Sequence, residues 1–336
     1  MTRKNKKLKK KIKSILLASL LATCIVLCYL LFFFVSNKAP ILQGTVEYQL
    51  EYKPGLHLDL YRPTNQVYTI SPVLVYFHGG AWVLGRKEAI NINRFNDAIN
   101  TLRENGYTIV SPAYTLAHEG KSPFPACIID GFDALKWIKT HAQQYNLDLD
   151  NVNLMGESAG AQIAMMLSYS DPYDFGIDHS MPTIRSVVDI YGPSDLQSLY
   201  YSQSIDSLQS LLAKVPGSIA KNLDITQQIC GFDPKSDSLR AQEFMAKYSP
   251  VRYITSQASP TLIIQGDADI IVPHSQSEIL NQRLTDFGVD HAYYSLEGMG
   301  HALRLATDAQ KDSMQIWIPD FVMKHRYADN KKQEGK

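Results

Sequence analysis

Cysteine is scarce in this chain. Four occur in 336 residues, and Cys24 and Cys28 fall inside one apolar run, so only Cys127 and Cys230 remain for the rest. Two thiols exclude a disulfide framework; they either pair with each other or stay buried as free thiols, the blander outcome. No Cys/His cluster has zinc spacing, no Gly-x-Gly-x-x-Gly follows a strand and no phosphate loop opens a helix, so no metal and no organic cofactor is implied. A surplus of charge is missing too, with 33 Lys and Arg against 33 Asp and Glu. The balance is uneven along the chain. Residues 1–13 carry eight Lys/Arg and no acid, which leaves 25 basic against 33 acidic residues and argues against nucleic acid as a partner.

Apolar length is what the N-terminus has in abundance. Residues 15–35 are twenty-one positions without a charge. At about 1.5 Å per residue they span roughly 30 Å, the thickness of a bilayer core. Lys and Arg crowd the N-terminal side and only Lys38 follows closely, so the positive-inside rule places the basic tail in the cytoplasm and the rest outside the cell membrane. A cleaved signal peptide would have an apolar region of about 7–15 residues ending in a small-x-small site. Phe32-Phe33-Phe34-Val35 ends this one, and Leu21-Ala22-Thr23-Cys24 is a poor lipoprotein processing site. The expectation is a basic tail over 1–13, a single uncleaved signal anchor over 14–36 and a tether over 37–44.

From residue 45 on, with 45% apolar and 20% charged residues overall, the pattern is globular. Residues 45–52 alternate as an exposed strand, and 58–63 form its antiparallel partner across Lys53-Pro54-Gly55. Residues 72–77 are a continuous apolar run of the kind buried on both faces. Further strands are expected at 108–112, 152–155, 186–191, 260–265 and 291–296. Helices are expected over 92–105, 125–145, 275–287 and 302–326, with Asp148-Leu149-Asp150 as a turn. This alternation implies an α/β domain over 45–328, a mainly parallel central sheet flanked by helices. Residues 194–250 lack strands, with 202–214 helical, and are expected to be a lid or cap insertion. The tail at 329–336 is expected to be disordered.

The chemistry gathers where strands end. Gly156-Glu157-Ser158-Ala159-Gly160 lies between a strand pattern and an Ala/Met/Leu-rich helix pattern, the context of a nucleophile elbow. Small residues must flank such a serine because strand and helix cross closely there. His78-Gly79-Gly80-Ala81-Trp82 follows the apolar strand, where backbone N–H groups can approach a ligand; with the N–H of Ala159 they would form an oxyanion hole. His78 is expected to shape that loop rather than act as a base. Trp82 and Glu157 are the expected substrate contacts, with Trp82 otherwise simply packing. A serine needs an imidazole and an orienting carboxylate, in the order Ser, acid, His. Asp267 and Asp269 both follow the strand at 260–265, and Asp269 is preferred because it lies further from the turn glycine. His301 is the histidine of the loop after the last strand.

Together these motifs resemble the hormone-sensitive-lipase-like carboxylesterases of the alpha/beta-hydrolase superfamily, and most closely the bacterial branch with feruloyl and acetyl-xylan esterases. The resemblance covers residues 45–326. It implies an alpha/beta-hydrolase fold, a Ser158–Asp269–His301 triad and an oxyanion hole from N–H groups around Gly79, Gly80 and Ala81 with Ala159. Two departures stand out: Ala81 replaces the third glycine of His-Gly-Gly-Gly, and Tyr114-Thr115 stands where Tyr-Arg is usual. The expected function is a membrane-anchored serine carboxylesterase acting on short-chain acyl esters, small or carbohydrate-linked. An amidase, peptidase or lipase of the same fold, or a non-catalytic binding module, are the alternatives.

Overall fold

The computed structural model describes residues 44–91, 94–202, 205 and 225–328, together with Ser19, Thr23, Val26 and Leu27. The basic tail, the anchor at 14–36 apart from those four residues, the tether up to 43, the tail at 329–336 and most of the expected helix at 202–214 lie outside the described residues. Among the described residues no helix is long and apolar enough to cross a membrane.

Eight strands form one sheet in the order β1-β2-β4-β3-β5-β6-β7-β8. They are β1 Val46–Lys53, β2 Leu56–Tyr61, β3 Ser71–Phe77, β4 Thr108–Pro112, β5 Leu147–Glu157, β6 Ile184–Ile190, β7 Thr261–Gly266 and β8 His291–Leu296. The pairs β1/β2 and β2/β4 are antiparallel, and all the others are parallel. All seven residues of β3 are buried, which is why its sequence is an unbroken apolar run rather than an alternation. Burying a side chain such as Val75 or Phe77, neither exposed at all, contributes about 1.5–3 kcal/mol. Val46 pairs with Tyr61, and Tyr61 with Ile109, near the start of β4. Thr45, whose carbonyl accepts from the Arg62 N–H, therefore stands at the end of the sheet where the parallel strands begin.

Helices cover the sheet, among them Asn96–Glu104, Ala126–Thr140, Ala159–Tyr169, Ser275–Asp286 and Asp308–Lys324. Three expectations need correction. The helix expected over 125–145 breaks at His141, whose φ of −102° and ψ of 10° leave the helical region, and resumes for one turn at Ala142–Tyr145. The expected turn at 148–150 lies inside β5, which starts at Leu147 opposite Ser71; a register shift between Ser71 and Val73 accommodates the Asp-rich stretch. The closing helix begins at Asp308, not near 302, because Thr307 and Gln310 form a capping box and Ala302, Leu303 and Leu305 all adopt left-handed φ. Cys127 and Cys230 are both buried and no disulfide joins them.

Among the described residues of the insertion, the helices Leu196–Tyr200, Ile225–Cys230 and Ser238–Lys247 occur and no strand does. Its return end is tied down. The Leu196 N–H donates to Ser249 Oγ at 2.8 Å, and Gln162 of the helix after the elbow donates to the Tyr248 carbonyl at 2.8 Å.

Candidate active site

Strand β5 delivers Ser158 in a conformation that only tertiary structure can hold. Its φ of 51° and ψ of −119° lie outside the allowed regions for an L-residue. The flanking glycines are there for space. A Cβ on Gly156 would come within 2.3 Å of the Gly160 carbonyl carbon, and one on Gly160 within 2.2 Å of the Phe77 carbonyl oxygen. The Ser158 N–H donates to the Ile190 carbonyl of β6 at 2.9 Å, fixing the elbow to the neighbouring strand. Ala159 opens the next helix, so its N–H has no intrahelical acceptor.

Ser158, Asp269 and His301 meet at the carboxyl ends of β5, β7 and β8. His301 Nε2 lies 3.0 Å from Ser158 Oγ, and His301 Nδ1 lies 2.7 Å from Asp269 Oδ2. The carboxylate is fixed on both oxygens: Oδ1 accepts the N–H groups of Ile271 and Val272 at 2.8 and 3.0 Å, and Oδ2 also accepts from Gln265 Nε2 at 3.2 Å. Asp267 instead turns outward and accepts the Gly298 N–H at 2.7 Å. Gln265, not singled out from sequence, carries a legible signal, a polar residue ending an otherwise apolar strand.

The loop after β3 closes over the elbow. A Cβ on Gly79 would lie 3.5 Å from Ser158 Cβ, and Gly80, at φ 128°, packs so tightly that a Cβ would sit 2.0 Å from the Leu84 carbonyl oxygen. Ala81 and Trp82 both have positive φ, and the Val83 and Leu84 N–H groups turn back to the Gly80 carbonyl. His78 is buried, and burial lowers its pKa to about 4, so the ring is neutral at physiological pH. Its Nδ1–H donates to the Gly79 carbonyl at 2.8 Å, and its ring stacks on Tyr114, whose hydroxyl donates to the His78 carbonyl at 2.7 Å. His78 thus shapes the loop. Beside it, where the resemblance leads one to expect arginine, the Thr115 N–H is held by Asp130 Oδ2, and Lys53 occupies the other oxygen.

The two residues expected to touch substrate are both buried. Trp82 is 4% exposed; its indole N–H donates to Gln162 at 3.2 Å and its ring packs on Phe124. Glu157 is 2% exposed and sits in a buried cluster, accepting from the hydroxyls of Tyr76 and Tyr191 and pairing with Arg94 at 3.1 Å. Burial and this carboxylate push both phenols well above their ordinary pKa, so both stay protonated donors. A second acid was not singled out at all. Asp189, buried in β6, accepts the Gly192 N–H on Oδ1 at 2.8 Å while Oδ2 has no partner among the described residues. Burial raises its pKa to about 8, the Gly192 N–H opposing. No group of three or more metal-ligating side chains occurs among the described residues.

A mostly parallel eight-stranded sheet with a strained serine elbow after β5 and an acid and a histidine after β7 and β8 is the alpha/beta-hydrolase fold. Within it, the chain belongs to the family described as BD-FAE, whose profile matches residues 58–284, more than half of its length. Two curated relatives from Mycobacterium tuberculosis (strain ATCC 25618 / H37Rv) are similar. The probable carboxylic ester hydrolase LipM is 26% identical over 280 residues, covering 81% of this chain and 59% of its own. Esterase LipQ is 25% identical over 284 residues, covering 81% and 61%. The chain thus spans about three fifths of the length of these relatives. Among solved structures, a truncated carbohydrate esterase from gut microbiota aligns with a TM-score of 0.64 at 21% identity, over 85% of this chain and 100% of that one; at that identity it speaks for the fold.

Proposed function

We propose that this protein is a serine carboxylesterase that cleaves short-chain acyl esters, small or carbohydrate-linked, through an acyl-enzyme. The observation that carries this is the continuous relay from Asp269 through His301 to Ser158 on a strained elbow. His301 takes the Ser158 proton as Oγ attacks the ester carbonyl, and Asp269 holds the imidazole and stabilises its cation. N–H groups of Gly80, Ala81 and Ala159 stabilise the oxyanion, with Gly79 setting the loop against the elbow. His301 protonates the leaving alcohol, then takes a proton from the water that releases the acid. No step needs a metal or organic cofactor.

Membership of BD-FAE and the names of the esterase relatives support ester over amide cleavage, and the gut carbohydrate esterase of the same fold supports acylated carbohydrate as a substrate. The basic tail and the uncharged run at 15–35 support a single-pass cell-membrane anchor, with the tail cytoplasmic, the catalytic domain extracytoplasmic and 194–250 as a cap. Hydrolysis of p-nitrophenyl acetate through octanoate and labelling by a fluorophosphonate test the chemistry. Both should fall by about 10⁴-fold or more in Ser158→Ala. Activity that survives this substitution would refute the triad. Protease shaving of intact cells tests the topology: a catalytic domain shielded inside the cell would remove it.

A further inference from the structure

His301 is borne by a loop and needs a wall. It starts a short 3₁₀ turn, His301–Leu303, in which Ala302 has φ 55° and ψ 39°, and its side chain is 18% exposed. Its two hydrogen bonds, to Asp269 and Ser158, leave from the two ring nitrogens. Such a pair fixes the ring along the line joining the nitrogens and does little against tilting about that line. Tyr191 meets this gap: its ring packs against the imidazole at 4.9 Å between centroids with 60° between planes.

Tyr191 is itself held unusually firmly. It follows β6 directly after Ile190, whose carbonyl takes the Ser158 N–H, and it adopts φ 45°, a conformation disfavoured for a bulky residue. Its N–H donates to the Ile264 carbonyl at 2.8 Å, and its hydroxyl donates to Glu157 Oε2 at 2.6 Å. Glu157 is fixed in turn by Tyr76 on β3 and by Arg94, whose carbonyl accepts from Gln315 of the closing helix at 2.6 Å. A buried carboxylate left without such partners would be strongly destabilising, so this cluster forms as a unit. Glu157 is also joined to Ser158 by one peptide bond. The residue next to the nucleophile is therefore also linked, through Tyr191, to the ring of the base.

Building on the serine-hydrolase reading, we infer that Tyr191 is a positioning residue that keeps His301 upright against Ser158, and that the buried Glu157 carboxylate sets Tyr191. Neither touches the reacting atoms. Misplacing a catalytic group by about 1 Å can cost about a hundredfold, and a loosened but present imidazole should cost less.

The test uses the full chain with Tyr191→Phe, which keeps the ring and removes its anchor, Glu157→Gln, and the two combined. Tyr191→Phe should lower kcat for p-nitrophenyl acetate about tenfold with KM within twofold, since the wall acts on the base and not on substrate binding. Glu157→Gln should do the same, and the double variant should fall no further than the worse single one, because both cut one chain of contacts. Should Glu157→Gln not fold, Tyr191→Leu replaces it and should lose about a hundredfold. A readout independent of turnover is the downfield proton resonance of His301 Nδ1–H, identified by its loss in His301→Ala; it should broaden in Tyr191→Phe as the ring tilts and the proton exchanges. A folded Tyr191→Phe with the parent resonance and kcat within twofold overturns the inference, as does a double variant whose losses multiply. An inactive parent would refute the esterase reading instead, and the resonance would still decide Tyr191.

Discussion

Asp189→Asn should gain stability relative to the parent as the pH rises. The folded Asp189 keeps its proton up to about pH 8, whereas an unfolded aspartate releases it near its ordinary 3.8. Across that window the folded state binds more protons, so stability falls with rising pH by up to about 1.4 kcal/mol per unit. At pH 7 the accumulated cost is about 4 kcal/mol. Asparagine is nearly isosteric with the protonated acid, and its carbonyl oxygen can still accept the Gly192 N–H. Its amide nitrogen replaces the unpartnered Oδ2, a fixed penalty of about 1–3 kcal/mol that does not vary with pH. The slope is therefore the readout, not the absolute value. Urea midpoints of parent and variant at pH 5, 6, 7 and 8 give it, because every other titrating group contributes equally to both and cancels. The stability difference should move in favour of Asp189→Asn by about 4 kcal/mol from pH 5 to pH 8. A difference that stays constant over those three units would show that Asp189 is ionised in the folded protein and would refute the burial argument.

Two further perturbations follow from the close contacts around the serine. Gly160→Ala drives a Cβ into the Phe77 carbonyl oxygen and should lower stability by about 3 kcal/mol or more, read as a fall in Tm or as insoluble expression. Tyr114→Phe deletes the hydroxyl that holds the His78 carbonyl; it should cost about 1 kcal/mol of stability and lower kcat several-fold with KM unchanged, measured by melting and by p-nitrophenyl acetate kinetics.

The central parallel strands were legible because burial on two faces leaves no room for a polar alternation: β3, β6 and β7 stand within about two residues of where their apolar runs place them. Ser158, Asp269 and His301 were legible for a different reason, since each follows the end of a strand and fold topology brings strand ends together. What sequence hid was set by partners far along the chain. The Glu157 side chain answers to Tyr76, Arg94 and Tyr191, between 34 and 81 positions away, so no local pattern tells a buried carboxylate from a substrate contact. Trp82 is likewise drawn inward by Gln162 and Phe124. Asp189 carried a visible mark, an acid in the otherwise apolar run Ser186-Val187-Val188-Asp189-Ile190, but its missing partner appears only once β6 is packed against the helix Ala159–Tyr169. The helix start at Asp308 was masked because Ala302 and Leu303 have good helical propensity and yet take left-handed φ beside His301.

The antiparallel turn of β1 and β2 has a practical side. Thr45 stands where the parallel strands set out and Ser158 where they finish, about 20 Å or more of strand away. A resin, a sensor surface or a fusion partner coupled ahead of Thr45 would grip the domain by its back. The serine end of the sheet would then face outward, so immobilising the enzyme at the opposite end should leave bulky, polymer-bound esters as accessible to it as small ones.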